Sequence, residues 1–344
     1  MSRAALLNPD RARFSKEIAA LNLKPLWERT MRLAPGTAAV PAMWRWKDVR
    51  PLLMHACEVI TAKEAERRVL MLENPALAGT TFITTTLYAG LQAILPGEIA
   101  PTHRHTPNAL RFIVEGEGAY TTVDGERIAM RPGDFVVTPN WTWHDHGNAG
   151  SGPVVWLDGL DTAFANIMGA HFREDRPGES GRPSKSGGHS AARQGATLLP
   201  VDPGPQGQAS PVLSYPYDRT RAALEQLEKN GAPHPSHGWK LRYANPATGG
   251  HAFPTMAAFM QRFPGGFSGS DYRCTDGTVF CVVEGQGSIA IGETHFEFAP
   301  KDVFVVPSWE RYRFSAKTAC VIFSYSDRAA QEALGFWREE GDPA

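Results

Sequence analysis

The sequence predicts a mainly β chain in which a small barrel occurs twice, with helices ahead of the first copy and behind the second. Three observations carry this. Between 101 and 148 the apolar runs are short, rich in Val, Ile, Phe and Thr, and punctuated by Gly, Pro and Asp-Gly, as in strands joined by turns. Two of these pieces return in the second half: 112–118 (Phe-Ile-Val-Glu-Gly-Glu-Gly) as 281–287 (Cys-Val-Val-Glu-Gly-Gln-Gly), and 132–141 as 300–309. A repeat of this length is the mark of an internal duplication. Helical spacing, by contrast, is confined to 10–35, 62–72, 219–229 and 326–338.

The bounds are those of an ordinary globular protein. The chain has 344 residues, enough for two domains, with 42% hydrophobic and 21% charged residues. A formal charge of −1 provides no field to draw nucleic acid or an anionic membrane, so neither is expected as a partner. Cys57, Cys274, Cys281 and Cys320 form no C-x2-C pair, which argues against a zinc knuckle. There is no apolar leader and no run of 18 apolar residues; the reading is a cytoplasmic protein with free thiols.

In chain order, 10–35 reads as two helical pieces, the second at 26–32 between Pro25 and Pro35. In 62–72, Ala62, Ala65, Val69 and Leu72 are spaced for a further helix, with Arg67 and Arg68 off the stripe; a solvated face suits Arg68. Residues 80–95 read as the first long β-region, with Leu91, Ala93 and Leu95 on one face and Gln92 and Ile94 on the other. Gln92 is polar in an apolar strand and needs partners if buried, as a satisfied structural amide has them. Arg111 opens an apolar strand. A charge there usually sits at a solvated edge, but an inward arginine could clamp an anionic substrate. Asp158, before Gly159, is by default a turn residue. Residues 171–212 are rich in Gly, Pro, Ser and charge, a connection in which His189 has no assigned role. The expected division is 1–78 helical region, 79–170 first barrel, 171–235 linker with a short helix, 236–327 second barrel and 328–344 terminal helix.

The stretch 101–148 also carries chemistry. On a strand His103 and His105 point one way and Arg104 the other. A run of hairpins through 112–115, 119–123 and 134–138 can return His144 beside them. Three imidazoles suffice for a metal, so His146, which shares that face if the segment is extended, suits a neighbouring role. In the register of the second half, Tyr272, Cys274 and Tyr312 replace the three histidines, which predicts a second barrel without metal. His251 and His295 do not restore the pattern.

These residues resemble a known family. The spacing of Gly97, His103, His105 and Gly116, then Gly133, Pro139, His144 and Asn148, is similar to the paired cupin motifs. Ala109 stands where cupins place a glutamate ligand, and Trp141 where a glycine is usual. The three-histidine set, with 66–75 (Glu-Arg-Arg-Val-Leu-Met-Leu-Glu-Asn-Pro) and 101–106, resembles the gentisate 1,2-dioxygenase family of bicupins. That resemblance, over about 23–338, implies two jelly-roll barrels, Fe(II) on His103, His105 and His144, and a homotetramer. It implies that Arg67, Tyr88, Gly90, Gln92 and Arg111 meet the substrate, Gly90 leaving room for a ring, and that His146 and Asp158 handle a phenol proton.

Three neutral imidazoles leave a dication its full charge and open positions, which a phenol beside a carboxylate can fill as a chelate. The implied reaction cleaves gentisate (2,5-dihydroxybenzoate) between its carboxyl- and hydroxyl-bearing carbons, placing both atoms of O2 in maleylpyruvate. Salicylate or 1-hydroxy-2-naphthoate is the alternative substrate. Other chemistry on the same barrel, as in quercetinase-like or isomerase-like cupins, and a non-catalytic ligand-binding bicupin are the further alternatives.

Overall fold

A computed structural model describes residues 9–176, 182–195, 199–202 and 207–341. The chain divides into two units, Met1–Pro35 and Gly36–Ala344. In the first, the helix Pro9–Ala20 is followed by a single 3-10 turn, Leu26–Glu28, and Phe14 stacks on Trp27 at 6.5 Å. The expected helix at 26–32 is therefore one turn. A seven-residue piece without an apolar stripe gains too little to offset nucleation.

The larger unit is built from four antiparallel sheets in two equivalent pairs. The first barrel joins a six-stranded sheet, ordered Ser214–Tyr215, Phe135–Thr138, Ala109–Glu115, Val154–Leu160, Tyr88–Ile94, Arg68–Met71, to a five-stranded one, ordered Arg173–Asp175, Ile99–His105, His144–Asn148, Ala119–Val123, Glu126–Ala129. The second barrel repeats this order strand for strand, with Ala42–Trp44 at one edge and Glu339–Gly341 beside Tyr272–Cys274. This is the bicupin architecture. The strands do not form a simple run of hairpins: 109–115 and 119–123 lie in different sheets, so the chain crosses between layers before the 144–148 strand returns beside 99–105. The pairing of His103 with His144 is matched by Tyr272 with Tyr312, as the repeat predicts.

Each barrel fills its lumen with its own cluster: Ile94, Ile113, Val136 and Trp156 in the first, Phe280, Ile289, Phe304 and Phe314 in the second. A third cluster unites the outer faces of the two six-stranded sheets, where Phe112 and Phe323 stack at 4.1 Å with planes 3° apart. Truncating either ring would cost about 3–5 kcal/mol. Alternation explains both clusters: in Ala109–Glu115, Arg111 and Ile113 face the lumen while Leu110, Phe112 and Val114 face the other barrel.

Several expected elements are corrected. In 62–72 the helix is only Ala62–Ala65, capped by Thr61 with Glu64, and it stops at Glu66, whose φ is 53°. Arg68–Met71 is a strand on Tyr88–Ile94, because β-preferring residues beside an open sheet edge pair with it. Arg68 is consequently not on a solvated face. It is 6% exposed, ion-paired with Glu98, and donates to the Ile60 carbonyl at 3.1 Å. In 80–95 the strand begins only at Tyr88; Glu73 accepts from the amides of Gly79 and Thr81, and Thr84 from Leu87, holding the threonine run in turns. The expected helical region 1–78 also holds the strand Ala42–Trp44, and its helix Trp46–Val59 was hidden by Pro51. The connection 171–212 contributes the strand Arg173–Asp175 and the helix His189–Gln194. The helix expected over 326–338 is only Arg328–Ala333, ended by Gly335 at φ 72°.

Candidate metal centre

The strand Ile99–His105 turns His103 and His105 into the first barrel and Arg104 outward, where its guanidinium stacks 4.2 Å over Trp141 and pairs with Glu174 at 2.6 Å. His144 arrives from the neighbouring strand directly opposite His103, their rings 4.2 Å apart. His105 lies 4.8 Å from His144. Each imidazole is held in the same way. Nδ1 of His103, His105 and His144 donates to the carbonyls of Pro101, Pro107 and Thr142 at 2.9, 2.8 and 2.9 Å. With Nδ1 protonated, Nε2 of each ring carries the lone pair. One ligand atom from each lies within 4.8 Å of the others, the one such trio among the described residues.

The donor set fits a divalent cation of the imidazole-preferring class. Two observations support the fit. His144 Nε2 is buried with no hydrogen-bond partner. The rings are also neutral at physiological pH: burial holds His144 and His146 well below the usual range, burial with the nearby Arg67 charge brings His103 down to about 2, and burial with the Arg111 charge brings His105 to about 4. Metal binding would therefore release no proton from them. Arg67 Nη1 donates to His103 Nε2 at 2.6 Å. That nitrogen cannot serve both, so Arg67 must withdraw when a metal binds.

The structure brings Arg67, Tyr88, Gly90, Gln92, Arg111, His146 and Asp158 to the same barrel. Arg111 is inward and 3% exposed. Its guanidinium donates to Thr138 Oγ1 and to His146 Nε2, the latter at 3.0 Å, and its Nε lies 3.6 Å from Asp158. Burial lowers Arg111 to about 10, so it remains a cation at neutral pH. Asp158 is a strand residue, not a turn. It opposes Arg111 and Gly90 in the sheet and accepts from Trp156 Nε1 at 3.0 Å. Burial pushes it up to about 6, with Arg111 and Arg67 pulling the other way. His146 is two residues along from His144, with its ring 5.7 Å away. Since its Nε2 accepts from Arg111, its Nδ1 carries the proton, and that N–H is buried without a partner.

Tyr88, Gly90 and Gln92 follow one another on the lumen face of Tyr88–Ile94. The space above Gly90 is taken by its neighbours: a Cβ there would lie 2.5 Å from Tyr88 Oη and 2.6 Å from Val69 Cγ1. The absence of a side chain thus serves the tyrosine's seating. Burial raises the Tyr88 phenol, which stays protonated. The amide of Gln92, 3% exposed, makes no hydrogen bond among the described residues. Two contributors escaped the sequence reading. Thr138, at the end of an apolar strand, anchors Arg111, and Trp156 orients Asp158 while packing 5.6 Å from the His146 ring. The available signal was that Trp156 and Asp158 share one face of the strand.

A cavity of about 970 Å3, lined among others by Asn108, Asp161, His189 and Thr255, lies elsewhere and includes none of the three ligand histidines. The four cysteines are free, and no described helix is long and apolar enough to cross a membrane.

Comparison with known proteins gives a consistent picture. Residues 90–159 match the model of the cupin domain. The chain is 48% identical to gentisate 1,2 dioxygenase 1 of Aquipseudomonas alcaligenes over 96% of each chain. It is 38% identical to a gentisate 1,2-dioxygenase of a Streptomyces species, over 92% of this chain and 91% of that one. Among solved structures, salicylate 1,2-dioxygenase of Pseudoaminobacter salicylatoxidans with gentisate superposes with a TM-score of 0.91 at 34% identity, covering 98% of this chain and 95% of the other.

Proposed function

The chain belongs to the gentisate 1,2-dioxygenase family and is a ring-cleaving dioxygenase; from that premise we propose that its metal is Fe(II), its substrate gentisate and its product maleylpyruvate. The observation that carries this reading is the juxtaposition, in one barrel, of three neutral imidazoles and two inward guanidinium groups. His103, His105 and His144 hold the metal through Nε2. Bound there, Fe(II) would supply a dication attractive to a carboxylate with its adjacent phenol, and the redox chemistry that O2 requires.

The chain's own residues do the rest. Arg111 and Arg67, the latter freed from His103, clamp the substrate carboxylate and orient the ring. Gln92 offers its free amide, and protonated Tyr88 its hydroxyl, to the substrate's polar edge. His146 presents its unpaired Nδ1–H. Asp158 is poised near pH 6 to receive the proton of the hydroxyl para to the first. The para hydroxyl makes the ring easier to oxidise, which favours gentisate.

Salicylate or 1-hydroxy-2-naphthoate is the second reading, favoured by the likeness to a salicylate dioxygenase that itself takes up gentisate. Within our reading the protein acts as a cytoplasmic homotetramer. Leu21, Leu26, Trp27, Met31 and Leu33, each exposed in the N-terminal unit, offer apolar surface for assembly. Turnover of gentisate under 18O2 by the Fe(II)-loaded protein tests the reaction: the product should gain both labelled atoms and lack the ring. With the product reduced before its new ketone exchanges oxygen with water, one labelled atom, or an intact ring, would refute it.

A further inference from the structure

The second barrel lost its histidines but kept a mouth. A cavity of about 530 Å3 lies there, lined by His237, Lys240, Phe259, Tyr272, Arg328 and Trp337 among others. Lys240 opposes Gln261 as Val69 opposes Gln92 in the first barrel, so an apolar position has become a cation. Its ammonium lies 4.5 Å over the Phe259 ring and has no ion pair or hydrogen bond among the described residues. Arg328 stands beside it. Its guanidinium lies 4.3 Å over Trp337, donates to Tyr272 Oη at 3.1 Å and sits 3.5 Å from Asp276.

The nearby carboxylates are already engaged. Asp276 accepts from Trp337 Nε1 at 2.8 Å, Glu339 from Tyr272 Oη at 2.6 Å, and Glu340 from Arg273 Nε at 2.8 Å. Lys240 therefore has no direct carboxylate partner among the described residues, while the charges of Asp276 and Glu339 act on it from nearby. Deeper in the same lumen, Gln261 is 1% exposed with both amide atoms unpaired, and the Ser324 hydroxyl is buried and unpaired. Buried polar atoms without partners are costly unless something else satisfies them.

We propose that the mouth of the second barrel is a non-catalytic binding site for a small aromatic carboxylate, its carboxylate held by Lys240 and Arg328 and its ring packed against Phe259 and Tyr272. The cations select an anion, and the aromatic walls select a flat apolar body over an aliphatic acid. The inference does not depend on which substrate the first barrel turns over.

The test uses crystals of the full chain soaked in 5-iodosalicylate, with iodine located by anomalous scattering. Iodine beside Phe259, lost in Lys240→Met, supports the site. Iodine in the first barrel alone, or a second-barrel peak unchanged in Lys240→Met, overturns it. Iodine in the second barrel alone supports this site while counting against the proposed function, and iodine in neither overturns both. In solution, equilibrium dialysis of salicylate against zinc-loaded protein should give two sites per chain. Affinity at one of them should fall about tenfold or more in Lys240→Met, with oxygen uptake by the iron-loaded variant unchanged. Displacement of salicylate from that site by equal maleate would overturn the aromatic assignment. Lys240→Met replaces an unpaired ammonium by an apolar chain of similar length, so folding is retained.

Discussion

Replacing Arg111 with methionine separates substrate clamping from metal holding. The guanidinium is 3% exposed and touches no ligand histidine; its partners are Thr138, His146 and Asp158. Charge-assisted hydrogen bonds are worth roughly 1.5–3 kcal/mol each, so losing two to a substrate carboxylate removes about 3–6 kcal/mol. With Arg67 sharing that carboxylate the lower end applies, a fall in kcat/KM of about a hundredfold or more. The stability cost is smaller than for an ordinary broken buried pair, which loses about 3–5 kcal/mol. Burial already holds Asp158 at about 6 with Arg111 present, so at pH 7 the variant can protonate it for at most about 1.4 kcal/mol. The sign follows. Without Arg111 the carboxyl moves further above its unfolded value, so the deficit is largest above pH 6 and shrinks in acid. Oxygen uptake across gentisate concentrations, with iron per chain measured on the same samples, is the assay. A kcat/KM within about threefold of wild type, or activity lost only in proportion to iron, would refute the clamp.

Other perturbations test neighbouring parts. His146→Ala should lower turnover far more than iron content; equal loss of both would make it a ligand. Gly90→Ala should raise KM by about tenfold, because the new methyl must displace Tyr88 Oη, 2.5 Å away; an unchanged KM would show that the phenol is not part of the pocket. Arg68→Met leaves Glu98 without its partner and should cost roughly 3 kcal/mol in denaturant titration while sparing kcat. Asp327, pushed up to about 6 mainly by burial, favours its protonated form in the folded state. Metal-free wild type should therefore lose up to about 1.4 kcal/mol per pH unit between 3.8 and about 6, and Asp327→Asn should lose less over that range. Parallel stability curves would contradict this.

The barrels were legible because alternation and repetition are local signals. His103 and His105 two apart, and the return of 112–118 as 281–287, need no tertiary knowledge. The errors came where tertiary context decided. Val69 and Leu72 kept helical spacing with Ala62 and Ala65, yet the open edge beside Tyr88–Ile94 drew 68–71 into a sheet and buried Arg68. The threonines of 80–86 have strand propensity, but local hydrogen bonds won: Thr81 N–H donates to Glu73, and the Thr84 hydroxyl accepts from Leu87 N–H. Within the site, histidine spacing announced the triad. Thr138 became visible only when its hydroxyl was seen against the Arg111 guanidinium, whereas Trp156 stands two residues from Asp158 on one strand face and was within reach of the sequence.

Oxygen uptake by the Fe(II)-loaded protein, with gentisate, salicylate and 1-hydroxy-2-naphthoate offered separately, tests the central claim most directly. The account predicts one O2 consumed per gentisate, with a kcat/KM well above those of the two acids that lack the para hydroxyl. No uptake with any of the three, from protein shown to hold one iron per chain, would contradict it.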